Sequence, residues 1–416
     1  MKFFLPDWED RLDPFYDFER DKYSKSHLEN SYENDVYAHQ LFKIPPHDGI
    51  LFSLGVFKSK ISLKDYNKPQ IRGSSNIKEF FKIEDKNIEV MGDCGAFTYA
   101  YEDKPPEFYK TERVAKIYEK MGFDYGVSVD HLVLDYFLKK ENGKKIRVDV
   151  PKEKKDERIK LTIRNAKEFL NIHRKNRYSF EPIGVAQGYN LETYKKSVEK
   201  LVELGYEYIA LGSLVRYNTE TILKILETIE DVTSNVKLHL FGVLRPEAIK
   251  DFRKLGVVSF DSASYLRKAW LRSGNNYLAL DGDEPRWYTA IRVPYSDNPR
   301  LVKNSHTNGY SITQLKAMEK KALSALFKYE RGSIKNVDDV LKSVMKYDKL
   351  LLRNSENIDK FEEKYRKTLE DKPWKKCKCD VCKSIGIDVV IFRGTNRNKR
   401  RGFHNVWMFR NFIMDQ

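Results

Sequence analysis

The chain has 416 residues, enough to bury a full core and to hold one large domain with an appendage. Its formal net charge of +15 favours a polyanionic partner, most simply nucleic acid. Four cysteines are too few for a disulfide framework, and no apolar run reaches the roughly 18 residues of a membrane span, so a reducing cytoplasm is expected.

Residues 1–48 are rich in aromatics and charge with weak periodicity, and read as an N-terminal extension. The apolar run in Met1-Lys2-Phe3-Phe4-Leu5-Pro6 is too short for a signal peptide. Gly49 to Phe57 is the first buried-strand candidate. From Ile88 an alternation sets in. Ile88–Asp93 reads as a strand, Glu107–Met121 as a helix stopped by Gly122, and Tyr125–Asp130 as a strand. A Lys/Glu-rich insertion covers 138–160, with a helix over 157–176. Strand Glu181–Gly188 is followed by a helix capped by Asn190 and closed by Gly205. Strand Tyr208–Gly212, a helix over 218–230, strand Lys237–Val243, a helix starting at Pro246, and strand Val257–Asp261 complete the series.

Strands of five to seven residues alternating with helices indicate βα units on a parallel sheet. Seven strands between Gly49 and Asp261 favour an α/β (β/α)8 TIM barrel over 49–310, and no GxGxxG follows the first of them. The expected eighth strand is Asp388–Phe392. A possible hairpin strand at Tyr288–Pro294 precedes helices expected over 312–330, 336–353 and 356–370. Residues 311–416 form a helical, metal-binding subdomain in this reading.

Cys377, Cys379 and Cys382 form CxCxxC, and His404 follows 22 residues later. Three thiolates and one imidazole make a closed tetrahedral Zn2+ site with no position for water, so the metal is expected to be structural. Several strands end in a polar group: Asp93, Asp130, Gln187 and Asp261. Polar groups at the ends of several barrel strands suggest one shared site. Two carboxylates facing one sugar can split a glycosidic bond in two steps, one attacking the anomeric carbon and the other handling protons. Asp130 and Gln187 are candidates for reading the edge of a base. Cys94 has no histidine beside it in the sequence and reads as a small buried residue. Arg397, Lys399, Arg400 and Arg401 form a basic run between metal ligands, read as an ordered loop for phosphate contacts.

Taken in order, Asp93-Cys94-Gly95-Ala96-Phe97, Gly184-Val185-Ala186-Gln187-Gly188, Gly212-Ser213-Leu214, Phe260-Asp261-Ser262-Ala263-Ser264-Tyr265 and the Cys377/Cys379/Cys382/His404 set resemble the tRNA-guanine transglycosylase family across roughly residues 49–410. The resemblance implies a (β/α)8 barrel with a zinc subdomain, and exchange of guanine in nucleic acid for a 7-deazaguanine base through a covalent intermediate. It implies Asp261 as nucleophile on C1′ and Asp93 as general acid/base. Asp130, Gln187 and the Gly212-Ser213-Leu214 backbone would grip the base, with Phe97 beside it.

The motifs depart from the family in places. Asp-Cys-Gly-Ala-Phe-Thr stands for Asp-Ser-Gly-Gly-Phe-Gln, and Ser213 for the second glycine of a pair. No counterpart of the archaeal C-terminal RNA-binding domains is seen. With the long N-terminal extension, this resembles the DNA-modifying branch, which inserts bases such as preQ0 into DNA. The expected partners are DNA, a 7-deazaguanine base and helper proteins, since no Walker motif is present. The alternatives are the same chemistry on tRNA, a catalytically silent nucleic-acid-binding subunit, or an unrelated glycoside hydrolase, which explains the carboxylates but not the cysteines.

Overall fold

The computed structural model describes the chain except residues 64–67, 85–86, 142, 272–273, 308, 352–357, 413 and 415–416. It divides into two compact units: residues 1–8 with 47–263, and residues 9–46 with 264–416.

The first unit is a closed parallel barrel. Its strands are β1 (Lys2–Pro6), β2 (Gly49–Ser53), β3 (Glu89–Asp93), β4 (Tyr125–Val127), β5 (Glu181–Ala186), β6 (Tyr208–Leu211), β7 (Lys237–Leu240) and β8 (Val257–Asp261). They follow one another around the barrel in chain order, and β1 closes it by pairing with both β2 and β8. The closing strand is therefore Phe3-Phe4-Leu5 and its flanks, not Asp388–Phe392. Phe3 and Phe4 are fully buried. The expected N-terminal extension thus begins inside the barrel and leaves it after Trp8. The Asp388–Phe392 run instead forms a 3-10 turn over Gly386–Val390 and a short strand, Ile391–Phe392, paired with Ile291–Arg292.

Helices over Thr111–Met121, Lys152–Asn176, Leu191–Leu204, Thr219–Ile229 and Ile249–Lys254 connect successive strands. The expected caps are present: Asn190 accepts from the Thr193 amide, and Gly122 and Gly205 end their helices in the left-handed region. The insertion after β4 is an antiparallel hairpin, Tyr136–Glu141 with Lys144–Asp149, running into a helix that starts at Lys152, earlier than periodicity indicated.

Successive strand residues face opposite sides, so residues two apart share a face. Phe4, Leu51, Met91, Tyr125, Val127, Ile183, Val185, Tyr208 and Ala210 form one buried cluster with Phe241 packed on it, which fills the barrel. Stepping two residues onward on that face leads from Leu51 to Ser53, Met91 to Asp93, Val185 to Gln187 and Ala210 to Gly212. Core packing and delivery of the polar groups to the C-terminal mouth therefore follow from one alternation.

In the second unit, helix Ile312–Glu330 coincides with the expected 312–330, helix Val337–Asp348 stops short of the expected 353, and helix Ile358–Asp371 answers to the one expected over 356–370, whose start lies outside the described residues. The hairpin here is Tyr277–Asp281 with Glu284–Tyr288. The basic run is not a loop. It lies on helix Gly394–Phe412, and Arg397, Arg400 and Arg401 are buried. Arg397 pairs with Asp21 and with Asp388 at 2.7 Å, and donates to the Phe18 carbonyl. Arg400 donates to the Asp13 and Pro14 carbonyls, and Lys399 to those of Glu9 and Arg11. Arg401 donates to the carbonyls of Val389, Ile391 and Ala269. Burial pushes the Arg401 guanidinium down to about 9. The expected phosphate contacts are overturned for the three arginines, because their side chains are buried and donate to carbonyls and carboxylates inside the unit.

Removing one partner of a buried ion pair strands the other charge. Arg397→Ala is expected to lower stability by about 3–5 kcal/mol, read as the midpoint of denaturant unfolding. A loss under 1 kcal/mol would show that these guanidiniums are available for other contacts.

Candidate active site and metal centre

Asp93 is the last residue of β3 and Asp261 the last of β8, both at the C-terminal end of the barrel. Ser53 sits beside Asp93 in the register of β2, and Phe4 beside Asp261 in that of β1. Asp93 accepts from the Gly95 amide at 3.0 Å. Gly95 has φ +77°, and a Cβ there would lie 2.4 Å from the Ser53 hydroxyl and 2.7 Å from the Gly55 nitrogen. A side chain would break the turn that aims this amide at the carboxylate. Burial raises the Asp93 carboxyl to about 7, and the negative charges of Asp130 and Asp261 push the same way. A carboxyl near neutrality can give and take a proton at working pH.

Asp130 lies three residues beyond β4 rather than at its end. It is buried and accepts from the Cys94 thiol at 3.1 Å and from Gln187 Nε2 at 2.6 Å. The Tyr99 hydroxyl donates to the Asp130 carbonyl at 2.9 Å. Cys94 is fully buried, as expected of a small core residue, and it also steadies Asp130. Gln187, directly after β5, accepts from the Ser213 hydroxyl at 2.6 Å through Oε1. Ser213 holds φ +59°, a conformation that favours glycine, and its hydroxyl also accepts from the Val133 amide at 3.2 Å. These two hydrogen bonds offset the backbone cost of a serine at this position. The Gly212 carbonyl accepts from Tyr194, its amide donates to Ala186, and Leu214 is buried at the start of a 3-10 turn. Asp130, Gln187 and Ser213 thus form one hydrogen-bonded string, with donors and acceptors suited to a planar heterocycle.

Phe97 is 44% exposed, and its ring lies 5.7 Å from that of Trp8, itself 38% exposed. Two exposed aromatics in one cluster form a surface on which a base can stack.

Asp261 is held by groups that sequence reading missed. Its Oδ1 accepts from the Gly242 amide at 2.9 Å and lies 3.3 Å from His239 Nε2. The signal for His239 was present: a lone polar residue in the apolar run Leu238-His239-Leu240, on the same face as Phe241. Trp8 was hidden because β1 was read as part of an extension.

The candidate metal centre lies in the second unit. Cys377 follows helix Pro373–Lys376, Cys379 caps helix Asp380–Ile385 that carries Cys382, and His404 comes from helix Gly394–Phe412. The four ligand atoms lie within 4.8 Å of one another. His404 Nδ1 is 3.8, 3.3 and 3.4 Å from the three sulfurs in order. Bonds of about 2.3 Å to sulfur and 2.1 Å to nitrogen in a tetrahedron would set these separations near ~3.6 Å, so the group fits one ion. His404 Nε2 donates to the Leu278 carbonyl at 2.6 Å, which leaves Nδ1 as the lone-pair donor. The Tyr277 ring stacks on the imidazole at 4.4 Å. The cluster can therefore hold a metal.

A family model described as queuine tRNA-ribosyltransferase matches residues 95–283. A DNA-guanine transglycosylase from Salmonella montevideo is 38% identical over 421 residues, covering 99% of this chain and 96% of its own. The chain belongs to the guanine transglycosylase family. The tRNA-guanine(15) transglycosylase of Methanococcus aeolicus is 26% identical over 218 residues, 51% of this chain and 30% of its own. That of Nanoarchaeum equitans is 26% identical over 267 residues, 57% of this chain and 58% of its own. Asp130, Gln187, Gly212, Ser213, Leu214, His239, Gly242 and Asp261 fall inside the segment matched by the family model, whereas Trp8, Ser53, Asp93 and Cys94 lie before it.

Two outcomes are expected. Purified protein should carry one metal ion per chain by elemental analysis, and Cys382→Ser should lose it and melt at lower temperature; a metal-free protein of unchanged stability would refute the site. The second concerns Asp93. Its folded carboxyl titrates near 7, above the unfolded value of 3.8, so its ionisation destabilises the fold as pH rises from about 4 through 7. Asp93→Asn should accordingly raise the melting temperature at pH 8 and leave it unchanged at pH 4.

Proposed function

We propose that this chain exchanges guanine in DNA for a 7-deazaguanine base of the preQ0 kind through a covalent aspartyl–nucleotide intermediate. The observation that carries the reading is the contrast between two carboxylates at one barrel mouth. Asp93 is poised to carry a proton, whereas Asp261 is pinned by amide and imidazole donors.

In the first half-reaction an Asp261 carboxylate oxygen bonds to C1′ of the target deoxynucleotide as the bond from C1′ to the guanine nitrogen breaks. The electron pair leaves on guanine, and the Asp93 carboxyl supplies the proton that neutralises it. In the second half the incoming base gives its ring proton to the Asp93 carboxylate. Its nitrogen attacks C1′, and the electron pair of the ester bond returns to Asp261. Atoms and charge balance, and Asp93 ends protonated again. Asp130 and Gln187 would take the polar edge of each base in turn, Gly212, Ser213 and Leu214 its other side, and Phe97 its face. The Asp130–Gln187 and Ser213–Gln187 hydrogen bonds keep these groups ordered between bases.

The target must leave its stack, which costs a few kcal/mol and least in unpaired or distorted DNA. Structural zinc at Cys377, Cys379, Cys382 and His404 would bind helix Gly394–Phe412 to the turn carrying the cysteines. It would stand apart from the chemistry because all four positions are filled by protein. DNA is favoured over tRNA because the likeness to the DNA-guanine transglycosylase spans nearly the whole of both chains, whereas the archaeal tRNA enzymes match over about half of this one.

Nucleosides from DNA and from tRNA of a strain expressing the chain, analysed by mass spectrometry, decide the substrate: the 7-deazaguanine nucleoside is expected in DNA. Its appearance in the tRNA pool alone would overturn the proposal. Asp261→Asn should give no DNA adduct on a denaturing gel, and Asp93→Asn should slow exchange by about 10²–10⁴-fold.

A further inference from the structure

His239 is fully buried inside the barrel. Its ring lies between those of Phe4, 6.2 Å away, and Phe241, 4.7 Å away, both at steep angles. Each ring nitrogen has a polar neighbour. Nε2 faces Asp261 Oδ1 at 3.3 Å, and Nδ1 meets the Ser259 hydroxyl, which in turn meets the Tyr208 hydroxyl. A carboxylate only accepts, so Nε2 must carry the hydrogen. Burial raises the Tyr208 phenol, which keeps its proton and donates to Ser259. Ser259 then donates to Nδ1, and every hydrogen in the string has an acceptor with the imidazole neutral.

Gly242 adds the second donor to the same oxygen. It holds φ +67°, where a Cβ would meet Val215 at 2.7 Å, so its amide is aimed by a conformation suited to glycine. Both donors fall on Oδ1. Among the described residues no donor is recorded on Oδ2.

From this geometry we infer that His239 is a positioning residue for Asp261. With Gly242 it clamps Oδ1, and Tyr208 and Ser259 lock its tautomer, so that Oδ2 is the oxygen that bonds to C1′. The inference rests on the proposed role of Asp261 as nucleophile. In the first half-reaction Oδ2 forms the ester bond as the bond from C1′ to the base nitrogen breaks, and Oδ1 becomes the ester carbonyl, still held by both donors. In the second half that bond breaks and its electron pair returns to the carboxylate. The His239 N–H then stabilises the departing charge.

The titratable and charged groups facing this string are Tyr208 on β6, with Tyr125 of β4 packed on its ring and the paired Lys237 and Glu181 beside it, Asp261 on β8, and Asp93 on β3. Lys2 and Glu89 are tied to each other and to the Tyr125 hydroxyl. Asp93 titrates near neutrality. A shift in the acid limb of activity caused by His239 must therefore be separated from Asp93, and Asp93→Asn supplies that control.

The test pairs one readout that needs catalysis with one that does not. Nitrogen NMR of protein labelled in its histidines, with the His239 signal identified by its loss in His239→Gln, should report the Nε2–H tautomer and shift in Asp261→Asn. A signal of the Nδ1–H form would overturn the inference with or without activity. The pH dependence of guanine exchange into plasmid DNA, using radiolabelled guanine, should have its acid limb moved upward by about one to two units in His239→Phe, with the rate near neutrality reduced roughly tenfold or more. His239→Gln, whose amide can donate to Oδ1, should recover most of both. Melting curves identify variants that fold. A folded His239→Phe with an unmoved acid limb and a rate within about twofold of the unaltered protein would overturn the inference while the transglycosylase reading stands. Unaltered protein that neither exchanges guanine nor forms an Asp261-dependent adduct would defeat that reading, and the NMR result would still decide whether the clamp exists.

Discussion

The pleat of a closed parallel barrel is the constraint on which the site depends. Each strand sends alternate residues inward, and eight strands in order bring all the inward rows to one axis. Large side chains such as Phe4, Met91, Tyr125 and Tyr208 fill the barrel. The next residue of the same parity then has no core left to enter and faces the mouth. Asp93, Gln187, Gly212 and Asp261 occupy that place on four different strands. A slip of one residue in any register would turn its polar group outward and an apolar one toward the substrate. Packing and chemistry are thus enforced by the same periodicity.

A desolvated carboxyl is a liability, and the barrel mouth resolves it in three ways. Asp93 keeps one amide donor and settles near neutrality, which suits proton transfer. Asp130 is wrapped by a thiol and an amide. Asp261 receives a backbone amide and an imidazole. Similar acids thus come to sit in different electrostatic surroundings because the hydrogen-bond donors around them differ. The second unit meets the same difficulty with the opposite sign. There the buried groups are guanidiniums, whose several donors are met by Asp21, Asp388 and a set of backbone carbonyls. In this way helix Gly394–Phe412 binds residues 9–46 into the unit.

Much of this is legible in the amino-acid sequence. The strands from Gly49 to Asp261 and where they start followed from short apolar runs bounded by helix caps such as Asn190 and Gly205, although most of them end earlier than the apolar pattern does. The candidate metal cluster followed from cysteine spacing, because few arrangements other than a metal site place three thiols within six positions. Two kinds of reading failed for physical reasons. A strand of five residues at a chain end has little pattern around it, so Lys2–Pro6 passed as part of an extension and the barrel's last place was assigned to Asp388–Phe392. A cluster of positive charge reads as a surface unless the partners are known, and Asp21 and Asp388 lie 376 and 9 residues from Arg397. No local pattern announces a pairing of the first length.

The sequence alone determined the βα alternation, the candidate carboxylates and amide at the strand ends, the cysteines and histidine of a cluster that can hold a metal, and the family, because each is written in local spacing or in short motifs. Only the tertiary structure decided which strand closes the barrel, that the arginines of the last helix are interior, and that His239 and Gly242 share one oxygen of Asp261. Those facts depend on contacts between residues far apart in the chain, and local periodicity carries no information about which distant residues meet.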